Sequence, residues 1–146
     1  MQDIGENEMV TETFKFDIQT VPDEIVNITP NVERCVQKSN IKDGTVTIFM
    51  PGSTGGISFL EFEPGLVKID VPTMLQQLFP AGPDYQHHQT WGDHNGHSHL
   101  RSFFVPPSQT VPIINGELIL GTWQQIVFCE FDEKARKRTI YCQLVG

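Results

Sequence analysis

The sequence predicts a single α+β domain built on a mostly antiparallel sheet, with about eight strands and two helices. Three observations predict it. Segments alternating apolar and polar residues recur from residue 10 to the C-terminus, which is the period of a half-buried strand. Helix signals are confined to two short stretches, 29–40 and 72–79. Turn signals, Asp43-Gly44 and Asn115-Gly116 above all, separate the strand candidates at short intervals.

In chain order, Val10, Phe14, Phe16 and Ile18 alternate with Thr11, Thr13, Lys15 and Asp17 in a first strand. Thr29-Pro30 reads as an N-cap followed by proline at the first helical position, with Val32, Cys35 and Val36 at helical spacing behind it and an end near Asn40. Thr45–Met50 is a buried strand stopped by Pro51. Ile57–Glu63 alternates, with Ile57, Phe59, Glu61 and Glu63 on one side, and Leu66–Val71 adds a short strand. Pro72–Phe79 is a short helix carrying Met74, Leu75 and Leu78. Asp84–Gly96 has no apolar periodicity and reads as a long polar loop. Beyond it everything reads as strand: His97–Val105, Thr110–Ile114, Glu117–Leu120, and a last hairpin of Gln124–Phe131 and Arg138–Leu144 around a charged turn.

A chain of 146 residues fits one domain, 1–146, and can bury a core without staples. Residues 1–8 are expected to be a flexible N-terminal tail. They are polar and acidic, without the basic start and apolar run of a signal peptide. No apolar run reaches membrane-spanning length, so the expected setting is cytoplasmic, with no membrane partner. The formal charge is −8 and the pI about 4.9, which repels phosphate backbones and argues against nucleic acid. Small phosphorylated ligands are not excluded, because local pockets hold them. Cys35, Cys129 and Cys142 have no Cys-x-x-Cys spacing and read as reduced, buried thiols; a Cys129–Cys142 disulfide across the last hairpin is the alternative.

The chemistry concentrates in one stretch. All five histidines, His87, His88, His94, His97 and His99, fall within thirteen residues. Imidazole is a common metal ligand and the side chain best poised for proton transfer near neutrality. On a strand, His97 and His99 share a face and could hold a metal or an anion together, with His87 folding back as a third ligand. The plainer alternative is a solvated loop with histidines packed on Trp91, and His88 and His94 are the expected bystanders. A second feature, Pro51-Gly52-Ser53-Thr54-Gly55-Gly56, offers backbone amides and the hydroxyls of Ser53 and Thr54 to a phosphate. It lacks the Gly-Lys-Ser/Thr of a nucleotide-binding loop and could equally be a tight connection. Glu61 and Glu130 each lie on an apolar strand face, where a carboxylate needs a partner or shifts its pKa; they are candidate acid–base groups or rim charges. Asn95 could donate and accept within the pocket.

These residues carry a resemblance. Gly121-Thr122-Trp123-Gln124-Gln125-Ile126, preceded by Pro112-Ile113 and Asn115-Gly116-Glu117-Leu118, together with Tyr85-Gln86-His87 and Asn95-Gly96-His97-Ser98-His99-Leu100, resembles the YjbQ-like family over roughly residues 9–146. The resemblance implies a small α+β homotrimer with polar pockets near subunit boundaries. It implies that some members show a weak, secondary thiamine-phosphate synthase activity, the physiological role being unsettled. It makes a divalent metal, zinc or magnesium, the expected cofactor, with no organic one. Carried over, the family's pocket positions fall on Glu61, His87, Asn95, His99 and Glu130, with Ser53 and Thr54 in its hydroxyl-rich stretch. Many members carry a histidine just before those hydroxyls; here Pro51 and Gly52 stand there, and His97 is the expected replacement.

Two classes of function follow. In the enzyme class, Ser53 and Thr54 hold phosphate, His87, His97 and His99 hold a metal or protonate leaving oxygens, and Glu61, Asn95 and Glu130 assist. The reaction is thiamine-phosphate synthesis or metal-assisted hydrolysis of a small phosphorylated compound. No lysine or arginine lies in either motif, and Arg101 is the nearest cation. In the binding class, the same pocket holds a metal or metabolite in a trimer without turnover.

Overall fold

The computed structural model describes residues 8–146. Eight strands occur among them, in two antiparallel sheets. The larger contains β1 (Thr11–Thr20), β3 (Gly44–Phe49), β5 (Ser108–Ile114), β6 (Glu117–Leu118) and β8 (Arg136–Val145), in the order β1-β8-β3-β5-β6. The smaller runs β2-β7-β4, with β2 Ile25–Asn27, β7 Gln124–Glu130 and β4 Gly55–Glu61. The alternation read in the first strand is present: Phe14, Phe16 and Ile18 pack against the core while Thr11, Thr13, Lys15 and Asp17 are exposed. Asn115 and Gly116 both have positive φ (52° and 78°) and turn β5 into β6, as a two-residue hairpin loop requires.

The helix α1 (Thr29–Lys38) buries Val32, Cys35 and Val36. Thr29 is its first helical residue rather than its cap. Its hydroxyl accepts a hydrogen bond from Ile126 N (2.8 Å), tying the helix start to β7, while Asn27 Oδ1 accepts from Thr29 N. The main core fills the space between the sheets and α1: Ile28, Val46, Ile48, Met50, Ile57, Ile126, Phe128, Ile140 and Leu144 are fully buried. β7 is covered on both faces. Ile126 and Phe128 face that core, and Val127, Cys129 and Phe131 form a second cluster with Ile25 and Leu75.

Four expectations are corrected. Leu66–Val71 is not a strand: a π-helical turn at Leu66–Asp70 leads into α2 (Val71–Leu78). The Glu63 carboxylate accepts from Gly65 N (2.8 Å) and Leu66 N, and Glu63 O from Val67 N, so helical pairing begins there. Asp84–Gly96 is not one loop, since it contains α3 (Gln86–Trp91). His97–Val105 is not extended; it lies in α4 (Gly96–Phe104). The described residues therefore hold four α-helices, not two. Finally, β7 and β8 are consecutive but belong to different sheets, so they make no hairpin and Cys129 cannot face Cys142 across one. All three cysteines are free and buried. Cys142 instead neighbours Cys35, and their interaction holds the Cys35 thiol below its usual value and pushes the Cys142 thiol up. The expected tail lies, except for Glu8, outside the described residues.

Candidate functional site

The histidine-rich segment folds as two short helices joined by Gly92–Asn95. Gly92 closes α3 in the left-handed conformation (φ 66°), where glycine carries no steric penalty. Gly96 then opens α4 against Tyr85: a Cβ there would lie 2.6 Å from the Tyr85 Cβ. His88 is 8% exposed and joins the two helices, Nε2 accepting from Gly96 N (2.9 Å). Nδ1 in turn accepts from Tyr85 N (3.3 Å) and caps the start of α3. His88 is thus a structural clamp, consistent with the bystander expectation. The other bystander, His94, lies exposed with its ring 5.7 Å from that of His88.

His87 on α3 and His99 on α4 come together with ring centroids 4.5 Å apart and planes tilted by 66°. His99 Nδ1 lies 3.0 Å from the Ser53 carbonyl oxygen. That oxygen can only accept, so Nδ1 carries a proton and Nε2 is the nitrogen left for a ligand. On the His87 side, the Asn95 amide nitrogen is placed to donate to His87 Nε2 (3.1 Å) and to the Asp93 carboxylate (3.2 and 3.1 Å). Asp93 also stands 3.4 Å from His87 Nε2. Two imidazoles, an amide and a carboxylate thus meet beside the Pro51–Ser53 stretch, which is exposed. Asp93 was missed in the sequence, although an acid between Gly92 and His94 in a histidine-rich segment was a signal for it.

His97 does not join this group. Two residues apart on a helix, His97 and His99 point to nearly opposite sides, where a strand would have aligned them. His97 is 4% exposed, with Nδ1 lacking a hydrogen-bond partner. Burial, then Arg101, hold its pKa below the ordinary imidazole value, while Glu133 and Asp23 pull it up. His97 therefore does not supply the imidazole expected beside Pro51 and Gly52. Arg101 is turned away as well, donating to Phe79 O and Gln76 Oε1.

Two more expected residues lie behind the loop. Glu130 is 1% exposed and ion-paired with Arg138, whose Nε donates to Oε2 (2.7 Å) and whose Nη2 donates to Oε1; Thr20 Oγ1 and Asp132 N also donate to it. Arg138 Nη2 further donates to Thr54 O and Oγ1, and Thr54 Oγ1 donates to Asp132 Oδ2. Burial raises the Asp132 pKa, but the Arg136 hydrogen bond, Glu133 N and Thr54 together bring it below the usual value. So Thr54 and Glu130 hold the loop rather than a ligand, and only Ser53 keeps an exposed hydroxyl. This network supplies the cation missing from the motifs: a Cβ at Gly52 would lie 3.2 Å from Arg138 Nη1, so the glycine lets the guanidinium approach the loop. Arg138 was invisible to motif reading because it arrives from the last strand.

Glu61 is corrected outright. It is exposed at the far end of β4, beside Asn27, Phe62 and Trp123, roughly 20 Å from the loop at about 3.3 Å per residue.

The donor set also tests the expected metal. His87 Nε2 is engaged by Asn95 and Asp93, His99 offers one nitrogen, and His97 lies elsewhere. Among the described residues no three histidine, cysteine, aspartate or glutamate side chains converge as a metal ion requires. The residues do not fit the three-ligand zinc or magnesium site. What they can do is donate, accept and relay protons beside the Pro51–Ser53 loop. No helix among the described residues is long and apolar enough to cross a membrane.

Comparison with known proteins finds relatives along nearly the whole chain. Residues 14–146 match the family described as UPF0047 protein YjbQ-like. A UPF0047 protein of Methanocaldococcus jannaschii is 37% identical over 134 residues, 91% of this chain and 94% of that protein. The UPF0047 protein YugU of Bacillus subtilis is 38% identical over 127 residues, 87% of this chain and 93% of that protein. Among solved structures, a YbjQ-like protein of unknown function from Sulfolobus solfataricus superimposes with a TM-score of 0.83 at 32% identity, covering 94% of this chain and 99% of that one.

Proposed function

The chain belongs to the UPF0047 YjbQ-like family, and from that premise we propose that it binds a small phosphorylated ligand between the His87–His99 pair and the Pro51–Ser53 loop. The observation that carries this reading is the pairing itself. Two imidazoles from different helices stand 4.5 Å apart, one fixed by Ser53 O and the other by Asn95 and Asp93. Ser53 Oγ and the Arg138 guanidinium behind Gly52 attract phosphoryl oxygens. His99 Nε2 accepts a proton from the ligand or returns one, and Asp93 stabilises positive charge on His87.

In this reading thiamine-phosphate synthesis is a side activity. Joining a pyrimidine diphosphate to a thiazole phosphate releases pyrophosphate, and the pocket assists only by binding and protonating leaving oxygens. Assembly as a homotrimer is part of the proposal. Trp91 (75% exposed), Phe103 (87%) and Phe104 on the helices that carry the histidines support it, because apolar side chains so exposed favour a covering partner.

Titration calorimetry with pyrophosphate tests the reading, with zinc and magnesium as separate additions. Wild type should bind saturably without added metal, and His99→Ala and Ser53→Ala should each bind about tenfold or more weakly, the loss of one charge-assisted hydrogen bond. Undiminished binding by both variants would overturn the assignment. Product analysis with the two thiamine precursors then separates turnover from binding alone.

A further inference from the structure

On the side of α4 opposite His99, a cavity of about 220 Å³ lies between α2, α4 and the β2–β7 pair, with Arg101 in its wall. We propose that this cavity is a second binding site, distinct from the histidine pair, for a small carboxylate with a short apolar body.

Arg101 is only 6% exposed, yet its close hydrogen bonds go to neutral oxygens: Nε to Phe79 O (3.1 Å) and Nη2 to Gln76 Oε1 (3.2 Å). Among the described residues the one carboxylate ion-paired with it, Asp23 Oδ1, stands 3.6 Å from Nη1 on a side chain that is 68% exposed. A buried guanidinium without a closely bonded counter-ion is costly, and burial lowers its proton affinity accordingly, with Asp23 and Tyr85 opposing. Its planar fork matches a carboxylate. Glu130 also borders the cavity, but its charge is already met by Arg138. One turn before Arg101 on α4, beside the cavity lining, His97 holds a buried Nδ1 without a hydrogen-bond partner among the described residues. Asp23 itself adopts the left-handed conformation (φ 63°) in the turn before β2, which aspartate tolerates better than most residues.

The rest of the lining decides the ligand class. Ile25, Leu75 and Phe131 present apolar surface, which rewards a carboxylate carrying a short hydrocarbon body over a bare inorganic anion.

The test is calorimetric titration of the full chain with isovalerate, its uncharged amide and inorganic phosphate. Isovalerate should bind saturably, and the amide and phosphate about tenfold or more weakly, as expected when one charge-assisted pair or the apolar contact is lost. Gln76→Glu places a carboxylate on Arg101 from an exposed position and should weaken isovalerate about tenfold or more, raise Tm, and leave pyrophosphate binding unchanged. Absence of saturable isovalerate binding by wild type, equal binding of the amide, or full isovalerate binding by Gln76→Glu would each overturn the proposal.

Discussion

At the scale of single residues, the buried ion pair of Glu130 and Arg138 shows how a functional expectation becomes a structural one. Glu130 shares its strand face with Ile126 and Phe128, which raised the question of what neutralises it. The answer is Arg138, with Thr20 and Asp132 N completing its acceptor sites. Breaking one side strands a charge: Arg138→Met should destabilise the fold by about 3–5 kcal/mol. Replacing both, as Glu130→Leu with Arg138→Met, should recover more than half of that loss, since an apolar pair of similar volume is often neutral. Chemical denaturation of wild type and the two variants checks it, and a double variant as unstable as the single one would contradict it. His97 gives a pH prediction. Its folded pKa lies below the unfolded value of about 6.5, so the unfolded state binds the extra proton. The stability linked to His97 is complete above about pH 6.5 and is lost as pH falls toward the folded value. Between pH 7.5 and 5, wild type should lose more Tm than His97→Asn; equal slopes would mean that His97 is not desolvated.

At the scale of elements, α3 and α4 are the part of the fold the sequence concealed, and the reason is physical. Periodicity detects helices that bury aliphatic stripes, but here the inward positions of α4 are Gly96, His97, Ser98, Arg101 and Ser102, and α3 buries only His88. Neither helix leaves an apolar signature. By contrast β1 and α1 were legible, because Phe14, Phe16 and Ile18, and Val32, Cys35 and Val36, bury hydrocarbon at the periods of strand and helix. The last hairpin failed for another reason. Local sequence shows that 124–131 and 138–144 are strands, but membership of a sheet is decided by distant partners, β2 and β4 for one and β1 and β3 for the other. The reassignment of α4 alters the site directly, removing His97 from the histidine group and bringing His99 to Ser53. The junction of the two helices depends on Gly96. Gly96→Ala places a methyl against Tyr85 and should cost about 1–3 kcal/mol by overpacking, with faster amide hydrogen exchange across 86–91. Unchanged exchange there would show that α3 is held without this contact.

At the scale of the whole molecule, the two sheets and α1 form a rigid frame, and the chemistry sits where the β3–β4 loop meets the α3–α4 pair. The candidate site was half legible. The types and neighbourhood of His87, Asn95, His99 and Ser53 could be read from the chain, whereas Asp93 and Arg138 could not be joined to them without the fold. Thr54 and Glu130 brace the site from behind, and Glu61 belongs to a different end of the sheet. The family relation is shared with proteins of archaea and bacteria, and the α+β architecture with a solved archaeal structure.

The central claim is that His87 and His99 respond to a phosphoryl ligand as one unit. Nitrogen-15 NMR of the imidazole rings during a pyrophosphate titration tests it most directly. His87 and His99 should shift along one shared saturation curve while His88 and His97 stay still. Separate curves for the pair, or a response confined to His97, would contradict it.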